Sequence, residues 1–161
     1  MSNPEIVSAI KASKLASELS DAQIATLSDH IAFRDLKPGD VLVEEGTSDD
    51  HLYVLVRGSL GVIRNAGSAD SVTLLTLGAG DLVGELSFLD GTPHYAALVA
   101  LDPVRVFGLE RGKLESLLKS HPEIVYRVMR AIVRTVHAIQ RRLSMQSVEL
   151  TNYIYKQHGR Y

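Results

Sequence analysis

The chain contains no cysteine, which excludes disulfide bridges and thiolate chemistry. No run approaches the roughly 18 apolar residues of a membrane-spanning helix, and the N-terminus lacks the apolar core of a secretory signal. Charge of one sign is not in excess either, because a net charge of −2 gives no general attraction to nucleic acid or to anionic lipid. We therefore expect a cytoplasmic protein that does not interact with a membrane.

The sequence motifs of common enzyme classes are also absent. There is no nucleophile elbow and no pair of catalytic carboxylates, and the glycines of residues 78–80 lack the lysine and helix start of a P-loop. Most histidines are scattered, without the i, i+4 pairing or the carboxylate neighbours of a metal site. We therefore expect no catalysis, no bound metal and no other cofactor. These scattered histidines are His30, His51, His121, His137 and His158.

The length and composition of the chain fit one domain, over residues 1–161. With 161 residues, of which 45% are hydrophobic and 22% are charged, the chain can bury a core without disulfides or metals. Local patterns divide this domain into N-terminal helices over residues 1–31, strands over residues 32–110 and C-terminal helices over residues 111–155.

Two helix starts mark the N-terminal segment. Asn3 followed by Pro4 combines a capping side chain with proline at the first helical position, which predicts a helix to about Leu19. Ser20 and Gln23 have the spacing of a capping box and predict a second, short helix.

Short apolar runs separated by turn residues follow. Residues 38–40, Pro-Gly-Asp, have the chemistry of a turn, because proline pre-sets φ, glycine supplies a positive φ and aspartate can bond to its own backbone. A strand over residues 41–44, a polar turn over residues 46–50 and a strand over His51–Arg57 come next. Repeated along the chain, this pattern is typical of an antiparallel roll. In the strand His51–Arg57, the predicted faces are Leu52, Val54 and Val56 on one side and Tyr53 and Leu55 on the other.

Two blocks of sequence resemble those of the cyclic-nucleotide-binding domain superfamily, which includes catabolite activator protein and kinase regulatory subunits. The first is P-G-D-x-x-x-x-E-G-x-x-x-D-x-x-Y-x-x-x-x-G, over residues 38–58. The second lies within residues 78–98, where G-A-G-D and then V-G-E-L-S-F-L-D-G-T-P resemble the phosphate-binding cassette of that family. The resemblance covers residues 31–143 and implies an α+β fold. Its centre is an antiparallel β-roll of the jelly-roll, or double-stranded β-helix, type, flanked by N-terminal helices and a long C-terminal helix.

The resemblance also implies a ligand pocket. The start of a helix after a glycine presents backbone N–H groups to a phosphate, and the Gly-Glu-Leu-Ser run of residues 84–87 fits this role. In the family, a glutamate at the position of Glu85 binds the ribose 2′-hydroxyl, while nearby amides bind the cyclic phosphate. The candidate ligand-binding residues are Gly84, Glu85, Leu86, Ser87, His94 and Tyr95.

His94 stands where the family places its phosphate-binding arginine. Arginine offers a permanently charged fork, whereas histidine is largely neutral at pH 7. Tyr95 replaces a small residue, and Ala97 replaces a serine or threonine that can contact a purine. Either the pocket is remodelled, with His94 and Tyr95 as polar groups beside Glu85, or it is closed. In the first reading, a cyclic nucleotide binds weakly or another nucleotide-type ligand takes its place.

The last predicted helix carries an apolar heptad pattern. Its apolar residues alternate spacings of four and three, which predicts a dimerisation seam over residues 125–153. Packing of this stripe against the roll accounts equally well for its first half. Arginines at positions 127, 134 and 141 flank the stripe and are expected to form a solvated or partner-pairing edge. The seam positions are Val125, Met129, Ile132, Val136, Ile139, Leu143, Leu150 and Tyr153.

These features predict a regulatory or sensor module that binds a nucleotide-type ligand, forms a homodimer and signals to a partner protein through its C-terminal helix. One alternative is a ligand-independent dimerisation or docking scaffold with a degenerate pocket. Another is the sensor part of a transcription regulator without its DNA-binding domain. Only 18 residues follow Leu143, too few for a helix-turn-helix, so we expect no DNA binding by this chain alone.

Overall fold

A computed structural model describes residues 3–158 of the protein, without the side chains at positions 143, 147, 151, 153 and 155–158. Helices precede and follow eight strands along the chain, and one short helix, α3, lies between the sixth and seventh strands. Within the described residues, no helix is long and apolar enough to cross a membrane. The elements are α1 (Pro4–Lys11), a 3-10 helix (Lys14–Glu18), α2 (Asp21–Ser28), β1 (Ile31–Leu36), β2 (Val41–Val43), β3 (His51–Arg57), β4 (Leu60–Arg64), β5 (Val72–Leu77), β6 (Leu82–Val83), α3 (Glu85–Asp90), β7 (Ala97–Ala100), β8 (Val104–Glu110), α4 (Arg111–Glu115) and α5 (Pro122–His158).

The strands form two antiparallel four-stranded sheets. Their orders are β1-β8-β3-β6 and β2-β7-β4-β5, so strands that follow one another along the chain often belong to different sheets. The two sheets enclose an apolar interior, and the helices cover the outer face of the first sheet. This is the α+β fold with an antiparallel β-roll that the sequence predicts.

Strand β3 separates two apolar cores. Leu52 and Val54 face the helices, whereas Tyr53 and Leu55 face the interior of the roll. Leu52, Val54 and Leu55 are fully buried. The predicted faces of this strand are therefore confirmed, and its apolar character on both sides reflects burial on both sides.

The predicted helix starts are confirmed, but the first helix is shorter than expected. The side chain of Asn3 accepts a hydrogen bond from the Glu5 amide, 2.9 Å long. The helix was expected to reach about Leu19, and this is wrong, because α1 ends at Lys11. The Lys14 amide donates to the Gly80 carbonyl, 3.1 Å away, so a contact with the roll replaces the helical bond.

Helix α5 spans 37 residues, a length of about 55 Å. Its N-terminal part lies in the helical core, where the seam position Ile132 is buried and the seam positions Val125, Met129 and Val136 are partly buried. Further along, the seam position Leu150 is 61% exposed. The first half of the predicted seam thus packs within the chain itself, as the alternative reading expects. The side chains of Leu143 and Tyr153, two other seam positions, lie outside the described residues.

Two of the three flanking arginines contact the 3-10 helix of the same chain, while the side chains of Arg127 and Arg134 stay 36% and 58% exposed. Arg134 lies 2.8 Å from the carboxylate of Glu18, and Arg127 donates to the Glu18 carbonyl at 2.7 Å. Arg130 adds a second contact with the carboxylate, also at 2.8 Å. These contacts fix α5 to the N-terminal segment, because Glu18 is itself held with its side chain only 14% exposed.

Candidate ligand-binding site

The cassette begins at a glycine that no other residue replaces without strain. Gly84 has a φ of +77°, in the left-handed region, and a Cβ there would lie 3.3 Å from the His51 carbonyl oxygen. This conformation turns the chain out of β6 and into α3, a helix of six residues that ends at another left-handed glycine, Gly91. The turn places Glu85 and Leu86 at the rim of the roll.

Ser87 anchors α3 to the loop before β3. Its side chain is buried, its oxygen accepts a hydrogen bond from the Asp49 amide at 2.7 Å, and its hydroxyl donates to the Asp49 carbonyl at 2.8 Å. The Asp49 carboxylate in turn accepts a 3.2 Å hydrogen bond from the Tyr53 hydroxyl. Burial and the charge of Asp49 raise the pKa of Tyr53 to about 12, so this hydroxyl keeps its proton. Ser87 therefore holds helix α3 of the cassette against the loop before β3.

Glu85 is a partly buried carboxylate without a cation. Burial raises its pKa, and a hydrogen bond from its own amide opposes that rise. Among the described residues, no lysine, arginine or histidine lies within ion-pair distance of it. The pKa of Tyr95 is also raised, first by burial and then by the negative charge of Glu85, so the two groups lie near each other. Together they present an acceptor and a donor to the pocket.

His94 supplies no fixed charge to this pocket. Burial lowers its pKa, and the negative charge of Asp49 opposes the shift only in part. Its Nε2 atom is buried and has no hydrogen-bond partner among the described residues, an arrangement that proteins generally avoid unless a ligand or water completes it. The backbone of His94 is fixed, since its amide donates to the Thr47 carbonyl and its carbonyl accepts from the Gly46 amide, both at 2.8 Å.

All six predicted site residues line one cavity, although their roles in binding remain predictions. The cavity encloses about 60 Å³, whereas small-molecule sites commonly measure about 300–1,000 Å³. A nucleotide would fit only if the exposed Tyr95 or a neighbouring element moved. Ala97, expected at the purine, does not line this cavity, since Ala96 and Leu98 face it instead. The predicted residues on its wall are Gly84, Glu85, Leu86, Ser87, His94 and Tyr95.

One wall residue comes from the far end of the sequence. Ile139 of α5 lines the cavity beside the cassette and the strand residues Val62 and Leu75. The heptad pattern singles out Ile139, but as part of a dimer seam. A helix pattern identifies which residues share a face, and it does not identify what that face meets.

His51 has the carboxylate neighbours that the sequence argument denied to the histidines. Its Nδ1 atom lies 2.9 Å from Asp50 and 3.3 Å from Asp49. The three side chains could offer ligand atoms within 4.8 Å of one another. Tyr53 and the backbone of this loop already engage Asp49, so the cluster has a structural use as a loop anchor. The Asp-Asp-His run of residues 49–51 is the signal that could have revealed it.

Comparison with known proteins finds a matching family model, similar sequences and similar solved structures. A family model described as the cyclic nucleotide-binding domain matches residues 33–121. The chain is 27% identical over 121 residues to a CRP-like cAMP-activated global transcriptional regulator of Mycobacterium tuberculosis. That match covers 75% of this chain and 54% of the regulator, so the chain spans about half the length of this relative.

Two solved structures share the fold. A cyclic nucleotide-binding domain from Methylobacillus flagellatus superposes with a TM-score of 0.75 at 27% identity, over 86% of this chain and 78% of that one. The N-terminal domain of a transcriptional regulator from Streptomyces coelicolor superposes with a TM-score of 0.70 at 30% identity, over 84% of this chain and 94% of that one. The similarity thus includes the roll, the cassette and much of the helical part.

Proposed function

The chain belongs to the cyclic nucleotide-binding domain family, and we propose that it is a regulatory module whose β-roll binds a nucleotide-type ligand and whose α5 helix transmits the ligand state. In this proposal, α5 pairs with a second copy of the chain and signals to a partner protein. The pocket residues are Gly84, Glu85, Leu86, Ser87, His94 and Tyr95.

The observation that carries this proposal is the place of Ile139. This α5 residue lines the same cavity as Glu85, His94 and Tyr95. Because the cavity is smaller than a nucleotide, a bound ligand must displace part of its wall. A ligand that favours one position of α5 over another shifts the helix between them, and the helix position in turn alters the affinity.

Cyclic AMP itself is a poor candidate ligand in this proposal. The cassette holds no arginine, and His94 is neutral near pH 7 because burial lowers its pKa. Loss of a charge-assisted phosphate contact weakens binding by about tenfold to a hundredfold. The exposed ring of Tyr95 further narrows the site.

The proposed homodimer uses the exposed part of α5. Leu150 lies on the predicted seam face of α5 and is 61% exposed, on a helix that continues past the roll. Such a face is costly to leave in water, and a second copy with the same face can cover it.

Thermal melting with a ligand panel tests the sensor function. The panel contains cyclic AMP, cyclic GMP, cyclic dinucleotides and the four nucleoside monophosphates. A ligand at 100 times its dissociation constant stabilises the fold by about 2.7 kcal/mol, which raises the melting temperature by several degrees.

Spin labels test the transmission to α5. The chain has no cysteine, so Asn152→Cys creates a single labelling position on α5. We expect an active ligand to change the label-to-label distance in the dimer, and Ile139→Ala to reduce that change. Val148→Ala, on the same helix and outside the cavity, serves as the control. A bound ligand that leaves the distance unchanged contradicts the proposal.

A ligand-independent scaffold is the second candidate, favoured by the 60 Å³ cavity and by the missing arginine. It predicts a dimer whose melting temperature no member of the panel changes.

A further inference from the structure

A second cavity lies beside the cassette pocket and is much larger. It encloses about 500 Å³ between the 3-10 helix, strand β5 and helix α5. This volume falls within the range of about 300–1,000 Å³ that is usual for small-molecule sites. We call it the basic groove and define it by Lys14, Leu75, Asp81, Arg134, Ile139 and Arg142.

The arginines give the groove its charge. Arg142 lines it and makes no ion pair with any described residue. Arg134 shares the carboxylate of Glu18 with Arg130, both at 2.8 Å, so one negative charge faces two positive ones. The groove therefore carries the uncompensated charge of Arg142 and the partly compensated charge of Arg134, which favour an anion.

The acidic residue of the groove does not cancel this excess. Asp81 lies 2.6 Å from the ammonium group of Lys14, and its other oxygen accepts a 3.0 Å hydrogen bond from the Gly78 amide. Lys14 and Asp81 thus neutralise each other. Arg142 remains available to an incoming anionic group, and Glu18 compensates the charge of Arg134 only in part, because it also pairs with Arg130.

The apolar walls of the groove continue into the cassette pocket. Leu75, Leu77 and Ile139 line both cavities. A ligand lying against these side chains can extend from the cassette toward α5. An apolar or planar body would rest on this shared wall, and an anionic end would reach the arginines.

We propose that the basic groove binds the phosphate of a nucleoside phosphate through Arg134 and Arg142, while the body of the ligand lies against Leu75 and Ile139. The inference rests on the proposed function, since it concerns the ligand of the same module. In this proposal, arginines of α5 bind the negatively charged phosphate, and the cassette, where His94 is neutral, does not. The phosphate then contacts the element that is proposed to transmit the signal.

Titration calorimetry at pH 7.5 with matched ligand pairs tests this inference. Each of AMP, GMP, CMP and UMP is compared with its nucleoside, from which it differs only by the phosphate. We expect at least one monophosphate to bind about tenfold tighter than its nucleoside. Arg142→Gln should remove that preference and leave nucleoside binding unchanged. Arg141→Gln, one residue along and outside the groove, should leave both affinities unchanged.

The remaining outcomes separate this inference from the proposed function. If Arg142→Gln has no effect and His94→Gln removes the preference, the cassette holds the phosphate and the inference is wrong, while the sensor function stands. Equal binding of nucleoside and monophosphate also overturns the inference alone. If none of these ligands and no cyclic nucleotide binds at millimolar concentration, both the inference and the sensor function fail. Arg142 has no ion-pair partner among the described residues, so its replacement should preserve the fold, which circular dichroism checks.

Discussion

The hydroxyl group of Ser87 exchanges two hydrogen bonds with the backbone of Asp49, accepting from its amide and donating to its carbonyl. Ser87 is 38 residues away from Asp49 along the chain, and its side chain is almost fully buried. One side chain thus satisfies both polar groups of a loop residue and ties the cassette helix to the loop before β3, the strand that divides the two cores.

Replacing Ser87 with alanine should destabilise the fold. The change leaves a buried amide and carbonyl without partners, which costs about 1–3 kcal/mol. We expect a melting temperature several degrees lower in calorimetry. Ser68→Ala, in an exposed loop, is the control and should change stability by less than about 0.5 kcal/mol. Equal melting temperatures for both variants would show that water replaces the Ser87 bonds.

Replacing Glu18 with glutamine should loosen the attachment of α5. The variant keeps the size of the side chain and removes the charge that faces Arg130 and Arg134. Two pairs whose arginines are about half exposed are worth about 1 kcal/mol together, or about 2–4 °C in melting temperature. Salt at 1 M should shrink the difference, because it screens exposed charges. Glu149→Gln, an exposed change with no ion pair in the described structure, should have no such effect.

The dimer is best tested at Leu150. An aspartate there places a charge in the proposed interface without disturbing the core, and light scattering should show a monomer of unchanged helicity. Asn152→Asp, on the far side of the same helix, should remain dimeric. Ile132, although it belongs to the predicted seam, is unsuitable because it is fully buried within the chain. An unmodified protein that is monomeric at micromolar concentration refutes the dimer.

Stability should depend on pH through Glu85. Because burial raises its pKa above the ordinary value of 4.5, the folded state binds more protons than the unfolded state just above that pH. The free energy of unfolding therefore falls as the pH rises through this window. Glu85→Gln removes the ionisation, so its melting temperature relative to the unmodified protein should increase between pH 4 and pH 7.5. A difference that stays constant with pH contradicts this assignment.

Restoring the missing cation should create cyclic AMP binding. The unmodified protein should bind it weakly at pH 7.5, while His94→Arg combined with Tyr95→Ala should bind it at least tenfold tighter in calorimetry. The single change His94→Arg should do less, since the Tyr95 ring still crowds the site. Asp49, whose charge reaches position 94, should also compete for the new arginine. Submicromolar binding by the unmodified protein would show that another cation serves the phosphate.

Local signals account for the parts of the fold that could be predicted. The capping box of Ser20 and Gln23 forms both of its bonds, because it depends only on residues three apart. Strand β1 carries no comparable signal, since its central residues Arg34 and Asp35 are exposed. It exists through pairing with β8, where Ile31 lies opposite Leu109. Such distant pairing cannot be read from a local pattern.

The candidate site likewise has a part that the sequence predicts and a part that it does not. The glycine at position 84 and the carboxylate after it follow from a contiguous motif, and the structure brings them to one cavity with His94 and Tyr95. The contribution of Ile139 could not be predicted, because helical spacing does not decide between the roll of the same chain and a second copy. The charges of the basic groove likewise come from elements far apart in sequence.

The length of α5 would amplify any tilt of this helix at the roll into a larger displacement of its end. Arg142 is the last residue of this helix that lines either cavity, and from there to His158 the axis runs about 24 Å. A tilt of about 10° at Arg142 would carry the end of the axis about 4 Å sideways, more than the length of a hydrogen bond. The uninterrupted helix, which has no glycine or proline after Pro122 within its span, acts as a lever. A sub-ångström shift of the pocket wall would thus become a displacement of several ångströms at the end of α5. A displacement of that size is enough to make or break contacts with a partner protein bound there.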